Sequence, residues 1–194
     1  MKLIQRHGYI EFLRRNRERS IIKVVSGIRR CGKSTLFRLF KDELLAEGVK
    51  PEQIISINFE ELEYEPLREY HALYQYILNQ MQPNQMNYIF LDEIQHVVQF
   101  HRVVDSLFVK ENTDIYITGS NAYFMSSDIA TLLTGRYVEI QMLPLSFAEF
   151  YYSKYEEQQY SLIPAYEAYL RESSFPYTQQ LGGEDFDIQE YLRG

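Results

Sequence analysis

Apolar positions along this chain follow two rhythms. Short dense runs such as Ile21-Ile22-Lys23-Val24-Val25-Ser26 and Tyr88-Ile89-Phe90-Leu91 alternate with longer stretches in which apolar residues return every three or four positions. The short runs read as buried strands and the longer ones as helices with one face turned to a core. The pattern predicts strands at Ile21 to Ser26, Ile54 to Phe59, Tyr88 to Asp92, Ile115 to Thr118 and Tyr137 to Met142. Helices are expected between them at about Lys33 to Glu47, Leu67 to Gln80, Phe100 to Lys110 and Ser126 to Leu133. Gly48 followed by Pro51 is a stop signal for the first of these, and Pro83-Asn84 breaks the chain before the third strand. A βαβα order calls for an α/β fold: a mainly parallel five-stranded sheet sandwiched by helices.

Two flanking pieces differ from this core, so three regions are expected: 1–20, 21–145 and 146–194. In the first, Tyr9, Ile10, Phe12 and Leu13 lie beside Arg14, Arg15, Arg17 and Arg19, the make-up of a short amphipathic helix over Tyr9 to Arg19. Its arginines suit either a solvated face or a contact with nucleic acid or an acidic partner. In the last, Ser146 with Glu149 has the spacing of a capping box, and a second helix is expected over Pro164 to Glu172. A further helical pattern begins at Ile188, close to the final Gly194, which suggests a domain cut from a longer protein.

Composition narrows the classes. With 194 residues and 45% hydrophobic content the chain can bury one substantial core, and a net charge of -7 argues against nucleic-acid binding by bulk electrostatics. No apolar run reaches membrane-span length and the start is too quickly charged for a signal peptide, so a cytoplasmic location without membrane contact is expected. The single cysteine, Cys31, excludes an intramolecular disulfide and a multi-cysteine metal site. His7, His71, His96 and His101 lack metal-ligand spacing.

Gly27-Ile28-Arg29-Arg30-Cys31-Gly32-Lys33-Ser34-Thr35 directly follows the first strand and opens the first helix. Glycine at each end lets the backbone wrap phosphate oxygens with its amide N–H groups, and the helix start adds its positive dipole end. Lys33 is placed to reach the β- and γ-phosphates and Ser34 to ligate Mg²⁺, which makes this a P-loop for a nucleoside triphosphate. Arg29 and Arg30 lie inside this loop, and one of them is a candidate to touch phosphate, the alternative being that loop arginines face solvent. The thiol of Cys31, beside these cations at a helix start, is expected to favour its thiolate, the alternative being an inert buried residue.

Tyr88-Ile89-Phe90-Leu91-Asp92-Glu93 ends a buried strand in two carboxylates, at the sheet end where ligands bind. Asp92 suits Mg²⁺ through its water shell, and Glu93, pointing the other way, suits activation of a water attacking the γ-phosphate. That second carboxylate favours hydrolysis over a small-molecule kinase. A nucleotide-dependent interaction switch that hydrolyses slowly is the remaining alternative. Ser120 and Asn121 end the fourth strand as either a helix cap or groups touching the γ-phosphate or attacking water. Arg136, at the entry to the fifth strand, suits either a structural ion pair or stabilisation of transition-state charge in its own or a neighbouring subunit.

These segments, with Ile57-Asn58-Phe59-Glu60, Asp92-Glu93-Ile94-Gln95, Ile117-Thr118-Gly119-Ser120-Asn121-Ala122, Leu133-Thr134-Gly135-Arg136-Tyr137 and Leu143-Pro144-Leu145-Ser146-Phe147, resemble the AAA-type ATPases of bacteria and archaea that carry a C-terminal domain of unknown function. The resemblance runs through essentially the whole chain. It implies an AAA+ core, ATP and Mg²⁺ as ligands, Walker A at Gly27 to Ser34, Walker B at Asp92 and Glu93, a sensor at Ser120 or Asn121 and a functional role for Arg136. It further implies a helical lid, here cut short, then a domain related to restriction-endonuclease-like nucleases, through which DNA would be reached, and it allows a homo-oligomer. Where relatives carry Gly-Gly before Phe-Pro, this chain has Ser173-Ser174 before Phe175-Pro176.

Overall fold

A computed structural model describes residues 4, 6–120, 133, 135–155, 161–172 and 174–180. Its strands are β1 (Ile22–Gly27), β2 (Ile54–Asn58), β3 (Asn87–Asp92), β4 (Thr113–Gly119) and β5 (Tyr137–Met142). They form one five-stranded sheet in the order β2-β3-β4-β1-β5, and every neighbouring pair is parallel. The helices are α1 (His7–Asn16), α2 (Lys33–Ala46), α3 (Tyr70–Gln80), α4 (Phe100–Phe108), α5 (Phe147–Tyr155) and α6 (Leu162–Glu172).

The central strands β1, β3 and β4 are buried on both faces, and the two faces carry different cores. Val25, Phe90 and Tyr116 pack with Leu36, Phe37 and Phe40 of α2 and with Ile10 and Leu13 of α1. Val24, Ile89, Leu91, Ile115 and Ile117 point the other way, onto Leu73 and Ile77 of α3 and Val103, Val104 and Leu107 of α4. This alternation is the two-residue period of a strand with helices on both sides. Phe90 stacks on Tyr116 with ring centroids 4.6 Å apart, and Phe37 meets Phe90 edge-on at 5.2 Å. Such contacts add about 0.5–1.5 kcal/mol each beyond area burial.

Several boundaries differ from the sequence reading. The helix expected from Leu67 begins at Tyr70, because residues Leu62–Arg68 form a 3-10 turn containing Pro66. Glu69 is then extended and caps the helix by accepting the Ala72 N–H at 2.9 Å. α4 stops at Phe108, where the Thr113 hydroxyl donates to the Leu107 and Lys110 carbonyls. β4 begins at Thr113, two residues before the expected Ile115, and takes in the buried Asp114.

Asp114 meets Lys23, and both side chains are fully buried. A buried ion pair needs its remaining polar atoms satisfied to offset desolvation. Here Asp114 also accepts the Tyr116 hydroxyl at 2.6 Å and the Glu18 N–H at 2.8 Å, while Lys23 donates to the Arg19 carbonyl at 3.0 Å. The network ties the segment after α1 to the sheet. Two pairs join the ends of α1 and α2: Arg14 of α1 holds Glu43 of α2 at 2.5 Å, and Arg17, just after α1, pairs with Glu47, just after α2. Ser146 and Glu149 form the expected capping box at the start of α5, with the Ser146 N–H donating to Glu149 at 2.8 Å. Residues 126–132 of the helix expected before β5 lie outside the described residues, as does the pattern from Ile188.

Candidate functional site: a phosphate loop facing two carboxylates

β1 runs to Gly27 at the carboxyl end of the sheet, and α2 starts at Lys33. The turn between them tolerates no side chain at Gly27. A Cβ there would stand 2.4 Å from the Met142 carbonyl oxygen at the end of β5 and 2.9 Å from Cys31 Sγ. Gly32 is the N-cap of α2 with φ at +105°, a left-handed conformation that disfavours a side chain, and Arg30 also has positive φ. Lys33 is buried and folds back into the loop, donating to the carbonyls of Gly27 at 3.1 Å and Ile28 at 3.3 Å. Ile28 and Ser34 are exposed at the mouth, and Thr35 is half-buried behind them.

The acidic end of β3 lies two strands away, with β4 between β3 and β1. Thr118 of β4 organises it with one hydroxyl, which donates to Asp92 Oδ1 and accepts the Glu93 N–H at 2.9 Å. Burial pushes the Asp92 carboxyl above the ordinary carboxylate range, against the opposing hydrogen bonds of the Ser34 and Thr118 hydroxyls. Glu93 takes a left-handed backbone with φ at +55° and leads into the 3-10 turn Ile94–His96. Its Oε1 lies 3.1 Å from Lys33 Nζ and its Oε2 accepts Gln95 Nε2 at 2.5 Å.

Lys33, Glu93 and Gln95 line a cleft of about 240 Å³ together with Arg29, Glu60, His96 and Ser120. Arg29 reaches across its mouth to Glu60 at 2.8 Å, an exposed pair. Thr118, Glu60, Gln95 and His96 carried no assignment from the sequence alone. Their only signal there was membership of segments that also contain the Asp-Glu pair or a strand end. Among the described residues no group of three or more His, Cys, Asp or Glu could cage a metal. A buried carboxylate with a neighbouring hydroxyl, Asp92 and Ser34, is instead the sparse all-oxygen donor set that suits Mg²⁺ completed by water and phosphate.

Among the described residues, Arg136 and Cys31 depart from what the sequence led one to expect. Arg136 precedes β5, whose first residue Tyr137 is in register with Ile22 at the start of β1. It is therefore a strand length, about 20 Å at 3.3 Å per residue, from the phosphate loop, and it pairs with Asp105 of α4 at 2.7 Å. That position sets it apart from its own chain's phosphate loop. Asn121 lies outside the described residues. Cys31 is fully buried, and burial pushes its thiol up despite the charges of Lys33 and Arg6. The expectation of a favoured thiolate is therefore corrected: the low polarity around the sulfur outweighs the nearby cations.

On the other side of the loop, Arg6 joins three pieces of the fold. Its guanidinium is bidentate to Glu149 of α5, at 2.8 and 3.0 Å, and donates to the carbonyls of Leu143 at 2.6 Å and Cys31 at 3.3 Å. The turn Pro176–Gln180 returns to the same place, since a Cβ on Gly32 would meet Pro176 Cγ at 3.8 Å.

A parallel sheet with a glycine-bounded loop after β1 and an acidic pair at the end of β3 defines a P-loop NTPase-type fold. The chain belongs to the AAA domain family, whose model matches residues 19–151. It is 41% identical over 176 residues to an uncharacterized protein of Haemophilus influenzae, covering 90% of this chain and 44% of that protein. It is 33% identical over 189 residues to an uncharacterized protein of Methanocaldococcus jannaschii, covering 89% of this chain and 40% of that one. The chain thus spans less than half the length of these curated relatives. Among solved structures it resembles the Walker-type ATPase of Pyrococcus abyssi, with TM-score 0.59, 17% identity, and coverage of 97% of this chain and 71% of that chain. It also resembles the replication initiator DnaA bound to AMPPCP and single-stranded DNA, with TM-score 0.59, 11% identity, and coverage of 98% and 67%. At these identities the likeness establishes the fold alone. No helix among the described residues is long and apolar enough to cross a membrane.

Proposed function

We propose that this chain binds ATP with Mg²⁺ and hydrolyses it, as the ATPase part of a longer AAA+ protein. The observation that carries this reading is the meeting of two carboxylates with the phosphate loop: Glu93 pairs with Lys33 in the cleft, and the Thr118-clamped Asp92 accepts the Ser34 hydroxyl. The loop from Gly27 to Thr35 would hold the phosphates through its backbone amides. Lys33 would leave Glu93 and its carbonyl partners for the β- and γ-phosphates. Ser34 and Asp92 would hold Mg²⁺, which when bound offsets the charge of the β- and γ-phosphate oxygens.

Glu93, freed from Lys33, is the base. As the water oxygen bonds to the γ-phosphorus, one water proton passes to Glu93, and the bond to the β,γ-bridging oxygen breaks with its electron pair going to ADP. Ser120 at the cleft, with Asn121, is assigned to sensing the γ-phosphate. Arg136 is assigned to a neighbouring subunit's nucleotide, because its place at the far end of β5 keeps it from its own. In the same reading residues 1–20 are an N-terminal helix, 21–145 the ATPase core and 146–194 the start of a lid. A nuclease-like domain and DNA would come with the rest of the longer protein.

The test is ATP turnover in the presence of Mg²⁺ for the parent and Glu93→Gln, alongside calorimetry with AMPPCP. Turnover in the parent and its loss in Glu93→Gln, with AMPPCP still bound, is the expected result. Binding without turnover in either protein would replace hydrolysis with the interaction-switch reading. Absence of AMPPCP binding would reject both.

A further inference from the structure

Glu93 is gripped from two sides. Lys33 Nζ lies 3.1 Å from Oε1 and Gln95 Nε2 donates to Oε2 at 2.5 Å. The two ends of the Gln95 amide differ in their surroundings: Nε2 is engaged, whereas Oε1 is buried with no hydrogen-bond partner among the described residues. Flipping the amide would not relieve this, since it would set an amide oxygen against the Glu93 carboxylate. An unpaired buried acceptor is destabilising, and this one belongs to a residue that lines the cleft. A group that arrives with the reaction would supply the missing donor.

The geometry points to Gln95 as the residue that orients the attacking water. The inference rests on the hydrolytic reading and adds a second contact to it. Glu93 and Gln95 belong to one tight turn, Glu93 being the residue that leads into the 3-10 turn Ile94–His96, with its N–H held by Thr118 at 2.9 Å. Once phosphate has drawn Lys33 from Glu93 and opened Gln95 Oε1 to the cleft, a water seated against both side chains donates one O–H to the Glu93 carboxylate and the other to Gln95 Oε1, which satisfies both protons and aims an oxygen lone pair outward. As that lone pair bonds to the γ-phosphorus, the first proton passes to Glu93. The second stays on the oxygen, held by Gln95, and leaves with the phosphate product, while ADP departs with the electrons of the broken bond. Gln95 Nε2 meanwhile keeps Glu93 in place after Lys33 has moved to the phosphates.

The experiment compares the full chain with Gln95→Leu, Gln95→Met, Glu93→Gln and the double variant Glu93→Gln with Gln95→Leu. Steady-state turnover with ATP and Mg²⁺, AMPPCP affinity by calorimetry and thermal midpoints are measured on each. Loss of water alignment in Gln95→Leu lowers kcat on the order of a hundredfold, with AMPPCP affinity and thermal midpoint close to the parent's. Gln95→Met, similar in length and lacking both polar atoms, reproduces the loss and covers the case in which leucine disturbs folding. In the Glu93→Gln background the same substitution lowers turnover no further, because the two side chains act on one water.

Parent-level kcat in both Gln95 variants, with Glu93→Gln reduced to a small residual rate, overturns the assignment of Gln95 and leaves the hydrolytic reading standing. Equal losses in both backgrounds accompanied by a fallen thermal midpoint make Gln95 a packing residue and also overturn it. Parent-level turnover in Glu93→Gln overturns the hydrolytic reading itself.

Discussion

Lys33 Nζ and Glu93 Oε1 face each other at 3.1 Å across the cleft, and both side chains are largely withdrawn from solvent. The cation proposed to bind phosphate and the carboxylate proposed to activate water thus neutralise each other before nucleotide arrives. Phosphate must separate them. Lys33→Ala is expected to weaken ATP binding because the loop loses its mobile cation. Glu93→Gln is expected to tighten it severalfold by removing the competitor for Lys33. Calorimetry with AMPPCP on both variants gives opposite signs if the pair competes with phosphate, and a Glu93→Gln affinity below the parent's would refute that competition.

Gly27 is fixed by close approach. Placing a Cβ 2.4 Å from the Met142 carbonyl oxygen forces β1 and β5 apart where the phosphate loop begins. Gly27→Ala should cost about 2–3 kcal/mol, in the range of overpacked sites, and abolish AMPPCP binding. Gly48→Ala is the control: its φ is +95° but nothing lies within 4 Å of the added Cβ. Only the left-handed penalty of about 1–2 kcal/mol applies there, and nucleotide affinity should be unchanged. Chemical denaturation and calorimetry on the pair separate the two causes.

Arg6 and Glu149 link the phosphate loop to α5, and their pairing has a pH signature. Burial raises the Glu149 carboxyl, but the Arg6 guanidinium and the Ser146 N–H and hydroxyl outweigh it and leave its pKa below the ordinary 4.5. A carboxyl depressed in the folded state stabilises fully above its unfolded pKa. That contribution is lost as pH falls through the lower, folded value. Glu149→Gln should therefore be less stable than the parent near neutrality, and the gap should close below about pH 4.5. A gap that stays constant between pH 7 and pH 3 would show that the loss is one of shape alone.

Arg136 is bound to Asp105 in its own chain, at the end of the sheet opposite the phosphate loop. Exposed pairs of this kind contribute about 0–1 kcal/mol, so Arg136→Ala and Asp105→Ala should each leave stability nearly unchanged. If Arg136 completes a neighbour's site, only Arg136→Ala removes a rise of turnover with protein concentration in the longer protein, and AMPPCP affinity stays the same. Mixing Arg136→Ala with Glu93→Gln should restore activity, because one subunit then lends the arginine and the other the carboxylate. Absence of recovery would confine Arg136 to its pair with Asp105.

Much of this molecule was legible in the order of its residues. Strand and helix signals are local, carried by apolar spacing and by glycine and proline punctuation, so β5 was expected where it lies and the other strands within two residues at each end. The phosphate loop, the Asp92-Glu93 strand end and the Ser146-Glu149 cap are likewise defined by short spacings that impose their own geometry. Leu67 to Glu69 were misread as helix because their apolar period continues into α3, whereas Pro66 and the Glu69 cap decide the start.

What only the tertiary structure decided are relations between residues far apart in sequence. The order β2-β3-β4-β1-β5 places β4 between the phosphate loop's strand and the acidic strand, which brings the Thr118 hydroxyl onto both Asp92 and Glu93. The same assembly closes Lys33 on Glu93, buries Lys23 against Asp114, carries Arg136 to the far end of the sheet and seals Cys31 from solvent. None of these has a spacing to read. Each depends on strand register and on desolvation, which exist only once the sheet has closed around its helices.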